Sequence, residues 1–414
     1  MQRVRMSLPY FKNFGWDAEV VTVDPEYSDI TKDELLLQSI PDDIKIHRVK
    51  AFSKKWTSKF GVGSIALRSM LFYKRRVNRI LSERKFDLIY FSTTQFPICV
   101  LGKYWKQKFD IPYVIDMQDP WHSEYYKDKP KHEQPRKYWF SYRLNKYLEP
   151  IAMRHVDGLI SVTEKYIIDL KERYTEIKNI PSDTITFGAF LPDFQIAGKN
   201  NIKSYAEKND GKISIAYVGV VGPIMKRSLK ILFTCLNKLK TDDFSLYQAF
   251  EWFFVGTSYA PQGTGKETVM PIAKEFEVSE KVREQTDRVT YFEALKTITS
   301  ADGLLIIGSD DPNYTASKTY PYIVAQKPLF AILHSNSSAV NIITDCNAGD
   351  VIGLDDALDM VYIKFKRFLD KCFQKQKPQI AWNAFEPHLA KNMTQQQCGL
   401  FEKVVRCENP IEQI

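Results

Sequence analysis

With 414 residues, of which 44% are hydrophobic, 26% charged and 13% aromatic, the chain is too apolar to be mostly disordered and long enough for about two or three domains. No run approaches the ~18 uncharged apolar residues that cross a bilayer, and MQRVRMSLPYFKNFGWD has no signal-like apolar stretch, so integral membrane and secreted classes are disfavoured and a cytoplasmic location is expected. A net charge of +8 favours an anionic partner, whereas nucleic acid is not expected, because neither zinc-finger spacing nor an RNP-like motif is present.

After an amphipathic opening, AEVVTV (18–23) reads as a buried strand. The basic helical pattern FYKRRVNRILSERK then feeds the strand FDLIYF (86–91). VLGKYWKQKF reads as a helix leading to a strand at 111–116, and RLNKYLEPIAMRHV as a helix leading to a strand at 158–162. Short, nearly continuous apolar strands between amphipathic helices are what a parallel sheet covered on both faces requires.

The polar stretch PDFQIAGKNNIKSYAEKNDG (192–211) has no sustained period, and the interdomain linker is expected within it. A second sheet is expected from strands at 213–218, 252–255, 289–292, 303–307 and 329–332, with helices starting near Ser228, Leu295, Ser317 and Ser337. Residues 258–288 read as an insertion containing the turn PQGTGKE, and long helices over about 354–374 and 382–406 end the chain. The expected fold is α/β, with two Rossmann-like α/β/α domains facing a cleft. Their bounds are 1–195 and 196–380, with 381–414 a helix packing back on the N-terminal domain. The six cysteines are scattered without metal-like spacing and read as reduced thiols.

Ligands of open parallel sheets sit beyond the carboxyl ends of strands, so the residues that follow strands carry the functional reading. Asp116-Met-Gln-Asp119-Pro-Trp121-His122 follows IPYVI, and Pro120 restricts Asp119 to extended backbone. A carboxylate, an indole and an imidazole are expected there at the sheet edge rather than beneath it. Asp119 or His122 could orient a hydroxyl or relay a proton; a helix cap by Asp119 with Trp121 as packing is the plainer alternative.

Tyr217-Val-Gly219-Val-Val-Gly222-Pro-Ile-Met-Lys226-Arg227-Ser228 runs from a strand through a glycine turn into a helix, where backbone amides and two cations suit a diphosphate. Glycines also serve tight packing, and this is not the GxGxxG fingerprint. Gly308-Ser-Asp310-Asp311-Pro-Asn313-Tyr314-Thr315-Ala-Ser317-Lys318 follows DGLLII. Thr315, Ser317 and Lys318 could address phosphate oxygens, with Ser317 equally suited to a helix cap.

Thr94, beside Thr93 and Gln95, is a weaker candidate for the cleft wall. PQGTGKE lacks P-loop spacing and reads as a surface loop, and the histidines other than His122 show no ligand spacing. Lys54-Lys55-Trp56 and Phe72-Tyr-Lys-Arg-Arg76 interleave basic and aromatic residues, which suits either an anionic membrane surface or an ordinary solvated helix face.

Together, FDLIYFSTTQFP with GKYWKQKFDIPYVIDMQDPW, YLEPIAMRHVDGLISVTE, YVGVVGP and ADGLLIIGSDDPNYTASKTYPYIVAQKPLFAI resemble the retaining glycosyltransferases of the GT-B fold, in particular the family 4-like group, over nearly the full chain. Lys318, Tyr322, Lys327 and Pro328 match a family segment in which a Lys precedes a Glu-Tyr pair and a Gly-Lys-Pro turn. The resemblance implies a hexosyltransferase whose C-terminal domain binds a UDP- or GDP-sugar and whose N-terminal domain presents a glycan, lipid-linked or small-molecule acceptor. It implies no metal and no cofactor.

In that scheme Gly219 to Gly222, Lys226 or Arg227, and Thr315 to Lys318 neutralise the diphosphate leaving group. Tyr322 lies at the nucleotide, and the departing phosphate oxygen assists deprotonation of the acceptor. Asp119 therefore positions acceptor or sugar, with Thr94 and His122 on the same side. The family's ribose-binding Glu falls at Pro321 and its earlier acidic position at Asn313, leaving Asp310 or Asp311 to compensate. RVRMSLPYFKNFGWDAEVVTV matches the usual first helix and second strand, so a sheet without its usual first strand and glycine-rich loop is expected. These departures leave a second expectation, a non-catalytic GT-B-like protein that binds nucleotide or glycan.

Overall fold

A computed structural model describes residues 2–408 apart from 29–32, 61, 123, 125, 126, 128–130, 132, 133, 135–137, 207–210 and 312–316, and apart from the side chains of Phe60, Cys407 and Glu408. The chain divides into two compact units. One comprises Met1–Lys32, Ser39–Phe187 and Ala390–Ile414, the other Asp33–Gln38 and Gly188–Leu389.

In the first unit, β1 (Val20–Val23) and β2 (Ile46–Val49) form a parallel pair with Val20 beside Ile46. β3 (Ile89–Ser92), β4 (Tyr113–Met117), β5 (Gly158–Ser161) and β6 (Ser182–Thr184) form a separate parallel sheet in that order. Among the described residues β1 pairs only with β2 and β3 only with β4, so the unit's strands make two sheets instead of one.

The central strands β4 and β5 are buried along their whole length. Phe91, Trp105, Tyr113, Ile115 and Leu159 share one core cluster, while the helix Ala390–Glu408 packs on β5. Gly158 makes that packing possible, because a Cβ there would come 2.6 Å from Val404 Cγ2. The helix Gln2–Ser7 is too short to be stable alone and is held by burial of Arg3, Arg5 and Met6 and by hydrogen bonding between Ser7 and Gln397.

The second unit holds β7 (Ile213–Val218), β8 (Phe250–Val255), β9 (Val282–Gln285), β10 (Gly303–Ile307), β11 (Leu329–Leu333) and β12 (Asp350–Gly353). They form one parallel sheet in the order β12-β11-β10-β7-β8-β9. Successive side chains point to opposite faces. Phe250, Trp252 and Phe254 therefore join the helices Lys226–Asp242 and Leu358–Phe373 in one cluster, while Phe253 and Val255 join the helices Leu191–Lys199 and Tyr291–Ser300 in the other. Both units are Rossmann-like α/β/α layers.

Several expectations are corrected. The stretch 192–211, read as having no sustained period, opens in the helix Leu191–Lys199, with buried Asp193 accepting a hydrogen bond from Tyr291 Oη at 2.8 Å. The strand expected at 289–292 is instead a helix start, where Thr290 and Glu293 form a reciprocal capping box. The strand itself is β9, inside the stretch read as an insertion. The final long helix is two, Trp382–Phe385 in the second unit and Ala390–Glu408 in the first, separated by the turn containing Pro387. Among the described residues no helix is long and apolar enough to cross a membrane.

Candidate functional site

In the second unit the strand order reverses between β7 and β10, the point at which open α/β sheets bind ligands. After β7, Gly219 takes φ +137°, which disfavours a side chain, and donates its N–H to Val255 O at 2.8 Å. A short turn, Pro223–Met225, then enters the helix Lys226–Asp242. The turn after β10 is bonded to this one, with Asp310 N–H donating to Ile224 O at 3.1 Å and Ser228 Oγ to Gly308 O at 2.8 Å. The two glycine turns are thus one assembly.

Lys318 reaches into it. Its Nζ lies 2.6 Å from Tyr217 Oη and 3.9 Å from the centroid of that ring. A Cβ on Gly219 would come 2.6 Å from the same nitrogen, so the lysine tip occupies the space beside the bare Cα. Tyr217, fully buried in β7, directs its own proton to Val220 O at 2.9 Å and offers Lys318 a lone pair. No carboxylate among the described residues pairs with Lys318, and desolvation brings its pKa down to about 7. An ammonium enclosed without a counter-ion, near the N-terminus of a long helix, is a group in need of an anion.

The remaining expected residues divide. Gly222 opens the short turn with φ −92°, and Lys226 is exposed at the first position of its helix. Arg227 is directed elsewhere, donating to Leu354 O at 3.0 Å and pairing with Asp355. Asp311 and Ser317 are exposed, and Asp311 N–H donates to Ser309 Oγ at 2.9 Å. Ser317 does not cap the helix Thr319–Val324, which has no side-chain cap. Tyr322 is buried, and its hydroxyl accepts the Val218 N–H at 2.8 Å, so it secures the end of β7. Thr315 and Asn313 lie outside the described residues.

In the first unit, Asp119 and Thr94 come from the turns after β4 and β3. They line a cavity of about 520 Å³ together with Leu67, Gln95, Trp121 and Asn145. Desolvation raises the pKa of Asp119. The expectation that indole and imidazole stand at the sheet edge is corrected, because both are buried. Trp121 stacks on Phe96 at 5.6 Å and donates to Asn145 Oδ1 at 3.3 Å. The His122 ring packs on Tyr142 at 4.8 Å and does not line the cavity, and the residue's backbone N–H donates to Glu149 Oε2 at 2.9 Å. Burial pushes its pKa down.

Asp116 lies deeper and pairs with Arg3 at 2.8 Å, both side chains fully buried. Ser92, Gln118 and Tyr90 donate to the same carboxylate oxygen at 2.8, 2.7 and 3.2 Å. Arg3 was not among the expected site residues, since nothing local marks a contact this distant along the chain.

The two basic aromatic segments also part company. In the helix Ile65–Glu83, Phe72 packs on Phe52, Lys74 lies 4.0 Å over the Tyr104 ring and Arg76 bonds to His47 at 2.8 Å, so that face is structural. Trp56, by contrast, is 72% exposed beside Lys54 and Lys55.

No family model matches the chain, and no curated protein matches it. Solved structures do. A glycosyltransferase from Rickettsia africae is 13% identical with a TM-score of 0.57, covering 98% of this chain and 94% of that one. The N-terminal domain of the trehalose-6-phosphate phosphatase of Candida albicans is 13% identical with a TM-score of 0.57, covering 96% and 93%. HepE of Anabaena, in complex with UDP-glucose, is 13% identical with a TM-score of 0.51, covering 99% and 94%. The likeness establishes the fold: two Rossmann-like α/β/α domains of the GT-B type, as the sequence led one to expect.

Proposed function

We propose that this chain is a glycosyltransferase that moves a sugar from a UDP- or GDP-sugar to a glycan, lipid-linked or small-molecule acceptor with retention of configuration. The observation that carries the reading is the enclosed ammonium of Lys318, without a described counter-ion, set against Gly219 at the switch point of the second sheet. The fold likeness to HepE in complex with UDP-glucose supports the same donor class.

In the reaction, the bond between the anomeric carbon and the diphosphate breaks and the acceptor oxygen bonds to that carbon on the same face. The acceptor proton passes to the departing phosphate oxygen. Lys318 and Lys226 neutralise the charge that develops there, an effect strongest in the transition state. Thr315 and Ser317 address phosphate oxygens. Arg227 joins them after release from Asp355, an exposed pair that costs little to open. Asp311 serves the ribose, replacing the carboxylate absent at Pro321. Asp119 and Thr94 position the acceptor hydroxyl in the first unit's cavity, with His122 acting through packing beneath it. Exposed Trp56 beside two lysines supports contact with an anionic bilayer carrying a lipid-linked acceptor.

Titration calorimetry of the chain with UDP, GDP and their sugar conjugates tests the donor site. Saturable binding that Lys318→Ala removes supports it, and absence of binding overturns it. Pro321, whose side chain offers no acceptor to a ribose, favours a second reading, a non-catalytic nucleotide- or glycan-binding protein. Nucleotide binding without donor hydrolysis or transfer to any of a panel of acceptors would select that reading.

A further inference from the structure

The contacts of Lys318 Nζ leave the lone pair of its neutral form unengaged. Both are made to Tyr217, at 2.6 Å from the phenolic oxygen and 3.9 Å from the ring centroid. Each takes an N–H, because the phenol directs its own proton to Val220 O at 2.9 Å or Met225 Sδ at 3.7 Å. No carboxylate among the described residues pairs with the lysine, and the sequence PNYTA (312–316) just before Ser317 and Lys318 contains none.

An amine desolvated without a counter-ion loses its proton near neutral pH and becomes a nucleophile, and the pKa of about 7 has desolvation as its cause. At pH 7.5 most of such an amine is free base, against about one part in a thousand for a solvated lysine of pKa ~10.4. The same place attracts phosphoryl groups. Lys226 is exposed at the first position of the helix Lys226–Asp242, whose first amides have no intrahelical partner. The turn that enters this helix begins at Gly219, against which the lysine tip lies. An electrophile that carries its own phosphate is thus brought to the amine by the group it will lose.

We propose that Lys318 is an acylation site for acyl phosphates, and that its acylation closes the donor site. The second half rests on the donor reading above, and the first does not. The amine lone pair attacks the acyl carbon, the bond from that carbon to the phosphate oxygen breaks, and the amine proton leaves with the phosphate as hydrogen phosphate. The amide that remains carries no charge to meet a diphosphate.

The test is incubation of the full chain with acetyl phosphate at pH 7.5, with acetylation of each lysine followed by mass spectrometry of its peptides. A less basic amine is also a weaker nucleophile, as thiols show, so Lys318 is expected to react about tenfold faster than exposed Lys55 and Lys266 rather than a thousandfold. Inorganic pyrophosphate is expected to slow Lys318 alone. Acetylation of Lys318 no faster than that of the exposed lysines overturns the site. Absence of protection by pyrophosphate, or an equal preference with the N-hydroxysuccinimide ester of acetate, overturns docking through the phosphate. UDP binding, read by calorimetry, is expected to fall in proportion to acetylation at Lys318, and UDP affinity unchanged at full acetylation overturns closure of the donor site. A parent chain that binds no UDP, while Lys318 still reacts selectively and pyrophosphate protects it, overturns the donor reading and supports the acylation site.

Discussion

The ammonium of Lys318 sits 2.6 Å from the phenolic oxygen of Tyr217 and 3.9 Å from the centre of its ring, with the bare Cα of Gly219 on its other side. A neutral phenol and an aromatic face repay only part of the hydration the ammonium loses. The lysine pKa is accordingly about 7, set by desolvation.

A diphosphate bound there restores the charge, so binding above pH 7 takes up a proton. Between pH 7.5 and 9 the affinity for UDP is expected to fall by roughly tenfold per pH unit. Calorimetry at pH 8 in two buffers of different ionisation enthalpy should report uptake approaching one proton. Affinity independent of pH over that window would rule out Lys318 as the group that meets the diphosphate.

The same burial has a sign in stability. A lysine whose folded pKa is lowered costs the folded state most where it must be charged in both states, below pH 7, and nothing once it is neutral in both, above about pH 10.4. Lys318→Met is therefore expected to raise Tm most at pH 6, with the gain shrinking steadily from pH 7 upwards. A Tm difference that is constant across this range would mean that the ammonium is not desolvated in the folded chain.

Arg3 and Asp116 make the opposite case, a buried charge paired with a buried counter-charge. The guanidinium also donates to Ile185 O at 2.6 Å and Thr186 O at 3.1 Å. Truncating one partner leaves the other unpaired in the interior, which costs about 3–5 kcal/mol, whereas an apolar pair of similar volume is often neutral. Asp116→Ala or Arg3→Ala should destabilise the first unit by that amount, and the Arg3→Met, Asp116→Leu double variant should recover most of it. Urea unfolding followed by amide exchange in β3 to β5 reads the effect in the right unit. Single variants that lose under about 1 kcal/mol would show the pair to be solvated.

How much of this was legible in the sequence follows from where each residue sits in its sheet. β4, β7, β8, β10 and β11 are interior strands, covered on both faces, and their unbroken apolar runs marked them. β2, β6, β9 and β12 escaped notice. Each is the edge of its sheet, and IHRV, SDT, VREQ and DVIG carry the polar residues that edges tolerate.

The site divides in the same way. Gly219 and Lys318 were visible because both follow interior strands. The Arg3–Asp116 pair, the burial of His122 and the bond from Val218 to Tyr322 were not, because each depends on contacts made only once distant segments have packed. The expected edge position of Trp121 and His122 failed for one physical reason. Pro120 fixes the backbone before them, but the apolar faces of both rings then turn into the core against Phe96 and Tyr142.

Asp119 remains at the mouth of that core, on a cavity wall, with its pKa raised by desolvation. In the transferase reading its carboxylate accepts a hydrogen bond from the acceptor hydroxyl and does not touch the donor. Replacing it removes acceptor positioning alone, so Asp119→Asn should raise the acceptor KM by about tenfold, the value of one hydrogen bond to a charged group. The slow hydrolysis of donor in the absence of acceptor should not change. The charged form is the one that accepts, and a raised pKa is crossed earlier as the pH falls. The acid limb of transfer should therefore lie above the usual carboxylate value of about 3.9 in the parent and disappear in Asp119→Asn. Initial rates across pH 4 to 8 with acceptor varied at saturating donor measure both effects. Donor hydrolysis that falls in step with transfer would instead place Asp119 on the sugar.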